Sequence, residues 1–336
     1  MSSSPGSEQP HGADAAPRPC GRLAPSPTGA LHLGNARTFL VAWLSARSKG
    51  GRVVLRMEDL DHPKNKPGAA GQALDDLRWL GLDWDEGPDV GGPSAPYVQS
   101  QRRELYRAAL DSLRRRGLAY PCVCTRRDVE SAQSAPHDGE MLRYPGTCRG
   151  RFADYAGALK AADGRPPVWR FRVDAPARVA FKDGFAGDCE QDVAEFCGDF
   201  ALARDRDGAG YMLAVVVDDA AMGVTEVVRG DDLLPATPAQ LLVYRALGLE
   251  PPRFMHVPLV VGPDGRRLAK RHGDTRIAAF REAGLTPDRL VGFLAASCGW
   301  AAPGERLMPA DLLPRFDLSS IPSHPLVIDG PAPLRA

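Results

Sequence analysis

Long apolar runs are absent from this sequence. The longest uninterrupted one, around residues 212–217, has the length of a strand, whereas a membrane-spanning helix needs about 18 to 20 apolar residues. Residues 1–20 are rich in Ser, Pro, Gly and Ala and lack the apolar segment of a signal peptide, so they predict a disordered tail. The sequence therefore predicts a cytoplasmic protein that does not enter a membrane.

A net charge is also absent, because Lys+Arg and Asp+Glu both number 42. This balance argues against wholesale wrapping of the chain in nucleic acid. The local balance is uneven: residues 52–100 hold five basic and nine acidic side chains, whereas residues 101–151 hold eleven arginines and six acidic side chains. Two interpretations of the arginine-rich segment stay open, a solvated helix face or contacts with nucleic-acid phosphates, which guanidinium groups bind in bidentate fashion.

Strand-like and helix-like segments alternate along the chain, and no internal repeat is present. This alternation predicts a doubly wound α/β fold with a parallel sheet. The continuous apolar run at 211–217 predicts a buried parallel strand. The other predicted strands are 21–24, 52–57, 168–173, 179–181, 224–228 and 257–261, and the predicted helices are 33–48, 69–80, 101–116 and 238–247.

Residues 22–37, RLAPSPTGALHLGNAR, carry the most informative pattern. A short apolar segment leads through two prolines to a turn at Gly29, which places His32 and Gly34 at the start of a predicted helix. Backbone N–H groups, the positive end of the helix dipole and an imidazole at that position suit a polyphosphate. Taken alone, the segment is equally consistent with an ordinary Pro/Gly-rich loop that enters a helix.

Two further motifs follow in order, VRGDD at 228–232 and RLAKR at 267–271. With residues 32–35 as a HIGH element and 267–271 as a KMSKS-like loop, the sequence resembles the class I glutamyl-tRNA synthetase family. The resemblance implies a Rossmann-like parallel sheet and the ATP-dependent, Mg²⁺-dependent formation of glutamyl adenylate. Positioning and charge stabilisation should dominate such a reaction.

The resemblance assigns ATP chemistry to His32, Gly34, Asn35 and Lys270, of which His32, Gly34 and Lys270 are the expected catalytic residues. The KMSKS-like loop comprises Arg267, Leu268, Ala269, Lys270 and Arg271. Arg267 stands in place of the first Lys and Ala269 in place of the Ser, so we expect weaker loop closure but not a loss of activity. Without the HIGH-like partner, this basic loop would be interpreted as a solvated turn.

Glutamate presents two carboxylates and an ammonium group. Two arginines would match the two carboxylates, and the resemblance assigns these roles to Arg22 and Arg229. It implies that Ser26 and Glu58 bind the ammonium and that Tyr211 offers a hydroxyl; a surface ion pair for Arg229 and a core position for Tyr211 are the alternatives. The complete expected glutamate site is Arg22, Leu23, Ala24, Pro25, Ser26, Glu58, Tyr211 and Arg229. Asp218 and Asp219 stay unassigned, either as exposed turn residues or as contacts with the tRNA end.

The seven cysteines are an odd number in a chain without a secretion signal, so a disulfide framework is not expected. Cys122, Cys124 and Cys148 lie within 27 residues. On spacing alone they are either small buried side chains or, with one further donor, ligands of a tetrahedral zinc ion.

This cysteine segment resembles the insertion of glutamyl-queuosine tRNA(Asp) synthetases, truncated paralogues of glutamyl-tRNA synthetases. The resemblance implies one structural zinc ion bound by Cys122, Cys124, Tyr144 and Cys148, with His137 as an alternative ligand. Only 66 residues follow Lys270, which is short for the anticodon-binding region of the full-length family.

The expected function is therefore ATP-dependent activation of L-glutamate and its transfer to queuosine in the anticodon loop of tRNA(Asp), by a monomer. The alternatives are a minimal glutamyl-tRNA synthetase that charges the 3′ end of tRNA(Glu), and a catalytically silent tRNA- or zinc-binding paralogue. The expected organisation is a tail (1–20), a first catalytic half (21–119), a zinc-binding insertion (120–200), a second catalytic half (201–300) and a C-terminal segment (301–336).

Overall fold

A computed structural model describes residues 18–60, 62–131, 143–204, 208–268 and 273–330. In chain order the elements are β1 Cys20–Leu23, α1 Leu33–Arg47, β2 Arg52–Leu55, α2 Ala69–Trp79, α3 Arg103–Arg115, β3 Ala119–Cys122, α4 Arg126–Ser131, α5 Tyr155–Ala161, β4 Val168–Phe171, β5 Arg178–Asp183, β6 Gly187–Asp192, α6 Val193–Phe196, β7 Ala201–Ala203, α7 Tyr211–Ala221, β8 Glu226–Gly230, α8 Thr237–Leu247, β9 Arg253–Val257, β10 Val260–Val261, α9 Ile277–Glu282, α10 Pro287–Ala296, α11 Pro309–Leu312 and β11 Leu326–Val327.

Two βαβ units form the centre of the fold. Strand β1 pairs in parallel with β2, with α1 between them in the chain, and β8 pairs in parallel with β9, with α8 between them. The two units meet side by side, because the N–H of Thr225, just before β8, donates to the carbonyl of Cys20 at 2.9 Å. Parallel strands that end at one edge bring the loops after β1 and β8 together, which is where α/β folds bind ligands.

Helix α1 covers this parallel sheet because its apolar side chains occur on nearly every turn and face inward. Leu33, Leu40 and Leu44 are buried in one core cluster with residues of β1, β2 and β9. The helix ends at Arg47, and Gly50 then adopts a left-handed φ of 66° in the turn that leads to β2.

The segment between α3 and α7 builds a smaller antiparallel region. Strands β3, β4 and β7 form one sheet, and β5 and β6 form a hairpin. The turn of that hairpin contacts β9, because the N–H of Gly184 donates to the carbonyl of Phe254 at 2.8 Å. The insertion therefore reaches the central parallel strands through this hairpin.

The prediction of a buried strand at 211–217 is wrong, since Tyr211–Ala221 is a helix. Leu213 through Val217 are all buried, so this helix is apolar on every side and shows no 3.6-residue periodicity that would separate it from a strand. Asp218 and Asp219 continue the helix and are also buried, which corrects their interpretation as exposed turn residues.

The predicted strand at 257–261 is two strands, since β9 ends at Val257 and β10 begins at Val260. Pro258 lies between them and cannot donate a hydrogen bond to a neighbouring strand. Strand β10 pairs in parallel with β11, which joins residues 326–327 of the C-terminal segment to the fold. The predicted domain boundaries and the monomeric state stay predictions. Within the described ranges, no helix is both long and apolar enough to span a bilayer.

Candidate active site

His32 forms the N-terminal cap of α1. Its Nδ1 accepts hydrogen bonds from the N–H groups of Gly34 at 3.1 Å and Asn35 at 3.4 Å, and the Asn35 side-chain oxygen accepts from the N–H of His32 at 3.1 Å. This reciprocal capping box satisfies donors that a helix start otherwise leaves without partners. The HIGH-like residues 32–35 are therefore a capping motif as well as a candidate phosphate site.

The same hydrogen bonds determine the protonation of His32. Because Nδ1 accepts, the ring proton of the neutral imidazole resides on Nε2, which can donate to another group. Burial, reinforced by the nearby positive charge of Arg267, lowers the pKa of His32. His32 is thus a neutral hydrogen-bond donor near pH 7 and needs no proton uptake to act as one.

Gly34 is required by the imidazole packed beside it. A Cβ at this position would lie 3.0 Å from Cε1 and 3.1 Å from Nδ1 of His32. A larger residue would therefore push the imidazole away from its capping position, which gives Gly34 a steric role in the site.

Arg22, at 7% exposure, extends from β1 towards β8. Its Nη1 donates to the carbonyl of Val228 at 3.0 Å, and its Nε lies 3.7 Å from a carboxylate oxygen of Asp219 without a hydrogen-bond partner. Burial lowers the pKa of Arg22, opposed by Asp219 and reinforced by the positive charges of Arg56 and Arg229. The guanidinium groups of Arg22 and Arg56 thus both face the buried carboxylate of Asp219.

Leu23, Ala24 and Pro25 align with the segment that follows β2. The N–H of Arg56 donates to the carbonyl of Leu23, and the N–H of Glu58 donates to the carbonyl of Pro25, both at 2.9 Å. This pairing places Ser26, which is exposed, beside Glu58. The polar side chains predicted for the ammonium group are therefore brought together by backbone hydrogen bonds.

A cavity of about 340 Å³ opens at this point. Ser26, Glu58 and Tyr211 all line it, together with Gln99 and Arg204. Three residues that are separated by up to 185 positions in the sequence thus share one cavity of small-molecule size.

Arg229, at the end of β8, is 4% exposed and adjoins Tyr211 of this cavity. Its Nη1 donates to the Tyr211 hydroxyl at 3.1 Å, and its Nε donates to His256 Nε2 at 2.9 Å. Its Nη2 donates to Thr237 Oγ1 and to Gln240 Oε1, both at 2.8 Å. All four partners are neutral groups, and the described residues offer no carboxylate oxygen within 4.0 Å. A buried guanidinium without an anionic partner is costly, so this one suits an anionic ligand.

In the KMSKS-like loop, the described residues reach Leu268, which is buried. Arg267 forms an ion pair with Asp232, the last residue of the VRGDD motif. The N–H of Gly262 donates to the carbonyl of Arg266 at 2.8 Å, and Gly265 adopts a left-handed φ of 71°, which closes the turn before the loop. Ala269, Lys270 and Arg271 lie outside the described residues.

The three cysteines of the insertion converge, as their spacing allowed. The Sγ atoms of Cys122, Cys124 and Cys148 all lie within 4.8 Å of one another. The Tyr144 hydroxyl completes the group, at 3.2 Å from Cys122 Sγ and 3.6 Å from Cys124 Sγ. Three sulfur atoms and one oxygen around a common centre are compatible with a tetrahedral zinc ion.

Two contacts hold the Tyr144 side chain in this group. The N–H of Cys148 donates to its hydroxyl oxygen at 2.8 Å, and the guanidinium of Arg170 lies 3.8 Å from the centre of its ring. Burial and the neighbouring thiols raise the pKa of Tyr144 and outweigh the opposing hydrogen bond from Cys148, so a zinc ion would have to displace the phenol proton to bind this oxygen as an anion. His137, the alternative ligand, lies outside the described residues.

Sequence reasoning missed the buried charges behind the cavity. Arg56 is fully buried and donates to Asp219 at 2.6 Å and to Glu58 at 2.9 Å. Asp218 accepts from Arg102 at 2.6 Å and from the Tyr106 hydroxyl at 2.8 Å. Burial opposes the charge of Arg56, but Asp219, Glu58 and Asp218 outweigh it and raise its pKa. The available signal was the pair of acidic residues that directly follows an apolar run.

Residues 20–311 match the family model described as "tRNA synthetases class I (E and Q), catalytic domain". The chain belongs to this family. This membership makes it an ATP-dependent ligase of the aminoacyl-tRNA synthetase type, with a Rossmann-like α/β catalytic domain.

Two relatives from Symbiobacterium thermophilum differ in their similarity to this synthetase chain. A glutamyl-Q tRNA(Asp) synthetase is 52% identical over 92% of this chain and 95% of its own length. A glutamate–tRNA ligase is 40% identical over 92% of this chain and 64% of its own length. Among solved structures, a glutamate tRNA ligase of Elizabethkingia meningosepticum in complex with its amino acid has a TM-score of 0.78 at 27% identity, and covers 93% of this chain and 67% of that one.

Proposed function

We propose that this synthetase activates L-glutamate with ATP and Mg²⁺ and transfers the glutamyl group to queuosine in the anticodon loop of tRNA(Asp). The observation that carries the proposal is the contrast between the two relatives from one organism. Identity is higher, and the match nearly spans both chains, for the glutamyl-Q tRNA(Asp) synthetase. A glutamyl-Q tRNA(Asp) synthetase of Nitratidesulfovibrio vulgaris is also 49% identical over 94% of its length.

In the first step, a carboxylate oxygen of glutamate attacks the α-phosphorus of ATP and pyrophosphate leaves. Negative charge builds on the phosphate oxygens, and in this proposal the Nε2 proton of His32 and the positive end of the α1 dipole stabilise it, since the first N–H groups of the helix already donate within the protein. Gly34 keeps the imidazole in position, and Asn35 completes the cap. Lys270, with Arg267, supplies the positive charge of the KMSKS-like loop.

In the glutamate pocket, Arg22 and Arg229 bind the two carboxylates. Arg229 is buried among neutral partners and so gains an anionic partner when the substrate binds. Ser26 and Glu58 bind the ammonium, and the Tyr211 hydroxyl completes the pocket. Residues 23–25 do not line the cavity, but their backbone hydrogen bonds to the segment after β2 position Ser26 at it.

An arginine-lined cavity of about 690 Å³, between the end of α3 and the insertion, supports an RNA substrate. Arg114, Arg115, Arg149 and Arg172 line it, together with the aromatic rings of Tyr120, Phe152 and Trp169. Guanidinium groups beside aromatic rings suit phosphates and unpaired bases. We therefore place the anticodon stem-loop of tRNA(Asp) along this cavity.

One zinc ion, bound by Cys122, Cys124, Tyr144 and Cys148, is part of the proposal. It would be structural, since all four positions of a tetrahedral ion are filled by protein. The convergence of three sulfur atoms and a hydroxyl supports it. Its role is to hold the end of β3 to the loop at 144–148.

The test is incorporation of labelled glutamate into tRNA(Asp) with and without queuosine. Only the modified tRNA should be labelled, and nuclease digestion should place the label in the anticodon fragment. A Lys270→Ala variant should lose glutamate-dependent ATP–pyrophosphate exchange and labelling together. Label at the 3′-terminal adenosine of tRNA(Glu) would favour a minimal glutamyl-tRNA synthetase, and absence of exchange in the wild type would favour a silent paralogue.

A further inference from the structure

A buried chain of hydrogen bonds runs from the insertion to Arg229. Asp183 is the last residue of β5, and its Oδ2 lies 2.6 Å from Nδ1 of His256 on β9. On the other side of the imidazole, Nε2 of His256 accepts from Nε of Arg229 at 2.9 Å. Asp183 and His256 are each 1% exposed. The pair therefore lies behind Arg229, outside the cavity and out of reach of solvent.

The partners of Asp183 define the tautomer of His256. Oδ1 of Asp183 accepts from the N–H groups of Phe185 at 2.9 Å, Ala186 at 2.8 Å and His256 at 3.1 Å, so the carboxylate is ionised. The other oxygen of this carboxylate, Oδ2, can only accept a hydrogen bond from His256, so Nδ1 of His256 carries the proton. Nε2 is then unprotonated and accepts from Arg229.

We infer that Asp183 and His256 are positioning residues that orient Arg229 for the carboxylate of glutamate. This inference rests on the proposed role of Arg229. His256 accepts from Nε of Arg229, and Thr237 and Gln240 accept from its Nη2. These buried hydrogen bonds fix the orientation of the guanidinium plane on the side away from the cavity. Nη1, shared with the Tyr211 hydroxyl, is the edge that adjoins the cavity.

The imidazole also keeps the carboxylate of Asp183 away from Arg229. A direct ion pair would neutralise the guanidinium and compete with the substrate for it. Through His256, Asp183 orients Arg229 while leaving its charge available for a ligand. This is how an outer group commonly orients a residue that contacts substrate or metal.

The structure offers an isosteric test, Asp183→Asn. In this variant the amide oxygen keeps the three backbone N–H donors, so the NH₂ group faces Nδ1 of His256 and can only donate to it. The imidazole proton then moves to Nε2, where it opposes the N–H of Arg229. We expect the KM for glutamate in ATP–pyrophosphate exchange to rise about tenfold or more, by the loss of one buried charged hydrogen bond. The KM for ATP should stay within twofold of wild type.

A second measurement reads the tautomer itself. In ¹⁵N-histidine NMR spectra of the wild type, His256 should have its proton on Nδ1, and in Asp183→Asn the proton should be on Nε2. Asp192→Asn is the matched control, because Asp192 belongs to the same hairpin but only accepts from the N–H groups of Ala177, Ala194 and Glu195. It should leave both the tautomer and the KM for glutamate unchanged.

A double-mutant cycle separates positioning from a structural tie. His256→Phe keeps a ring between residue 183 and Arg229 but removes both nitrogens, so adding Asp183→Asn to this background should change the KM for glutamate less than twofold. A simple tie between hairpin and sheet would instead lower the melting temperature equally in both backgrounds.

An unchanged KM for glutamate in a folded Asp183→Asn variant, or an equal rise in the KM for ATP, would overturn the inference. The exchange reaction contains no tRNA, so the KM values would stay informative even if queuosine in tRNA(Asp) were not the acceptor. Intact exchange without transfer to queuosine would contradict the proposed function alone.

Discussion

Arg56 Nη2 and Glu58 Oε1 lie 2.9 Å apart, and the guanidinium of Arg56 is fully buried. Arg56 therefore holds the Glu58 carboxylate at the cavity that Ser26 and Tyr211 also line. A carboxylate held by a buried arginine from behind is a rigid acceptor for a substrate ammonium, because its rotamer is already selected before binding.

Glu58→Gln removes this negative charge and keeps the size of the side chain. A hydrogen bond to a charged group contributes about 1.5 to 3 kcal/mol, so we expect the KM for glutamate in ATP–pyrophosphate exchange to rise about 10- to 100-fold. The KM for ATP should remain unchanged. Glu190→Gln, an exposed position on β6, is the control, and equal KM values for glutamate in both variants would contradict the assignment.

His32 has two roles that substitutions can separate. Asn is a good N-cap residue, whereas replacing a cap by Ala costs about 1 kcal/mol. We expect His32→Asn to keep the melting temperature and His32→Ala to lower it. Both remove the Nε2 donor and should slow exchange about 100-fold, as the loss of a donor to developing charge does in other enzymes. Calorimetry and exchange rates test the two roles, and full activity in His32→Asn would show that Nε2 is not used.

Metal analysis tests the zinc site. Purified wild type should contain about one zinc ion per chain, and Cys124→Ser or Cys148→Ser should lose it. Tyr144→Phe keeps the three sulfur ligands, so it should retain zinc but release it faster to a chelator. Cys298→Ser, a buried free cysteine at the end of α10, is the control. Equal zinc content in the Cys148 and Cys298 variants would rule out the site.

Asp76 on α2 is fully buried, and both carboxylate oxygens lack hydrogen-bond partners. Burial raises its pKa to about 6, opposed by Arg281 at 4.0 Å. The folded state thus binds this proton more tightly than the unfolded state, so stability is lost as the pH rises from about 4 through 6.

Asp76→Asn should therefore have little effect near pH 4 and should stabilise the protein by up to about 3 kcal/mol above pH 7. Urea unfolding at several pH values measures this difference. Asp75→Asn, at the exposed neighbouring position, should show no such trend. A pH-independent difference between wild type and Asp76→Asn would show that the carboxyl group does not titrate in this range.

Arg114→Ala and Arg115→Ala test the arginine-lined cavity. Each should weaken tRNA binding several-fold and reduce the slope of log affinity against log salt by about 1, because each removes one phosphate contact. Glutamate-dependent exchange without tRNA should be unaffected. Arg178→Ala, on the exposed face of β5, is the control, and identical salt slopes in all three variants would move the RNA site elsewhere.

Local sequence determined a large part of the fold. The helix at Leu33–Arg47, its capping residues and the strands beside it follow from short-range signals, namely the helix cap and the turns on either side of the helix. The helix Tyr211–Ala221 was missed because burial on all sides removes the polar face by which a helix is recognised in sequence.

By itself, the sequence determined which chemical groups are present and in which order, since His32, Arg22, Arg229 and the cysteines stand in motifs of recognisable spacing. Only the tertiary structure decided which groups meet. Asp183 and Arg229 lie 46 residues apart on different structural units and become linked through His256 because a hairpin turn contacts β9. No local pattern encodes such a link, since it arises from packing of distant segments that excludes water and makes each buried polar group find a partner.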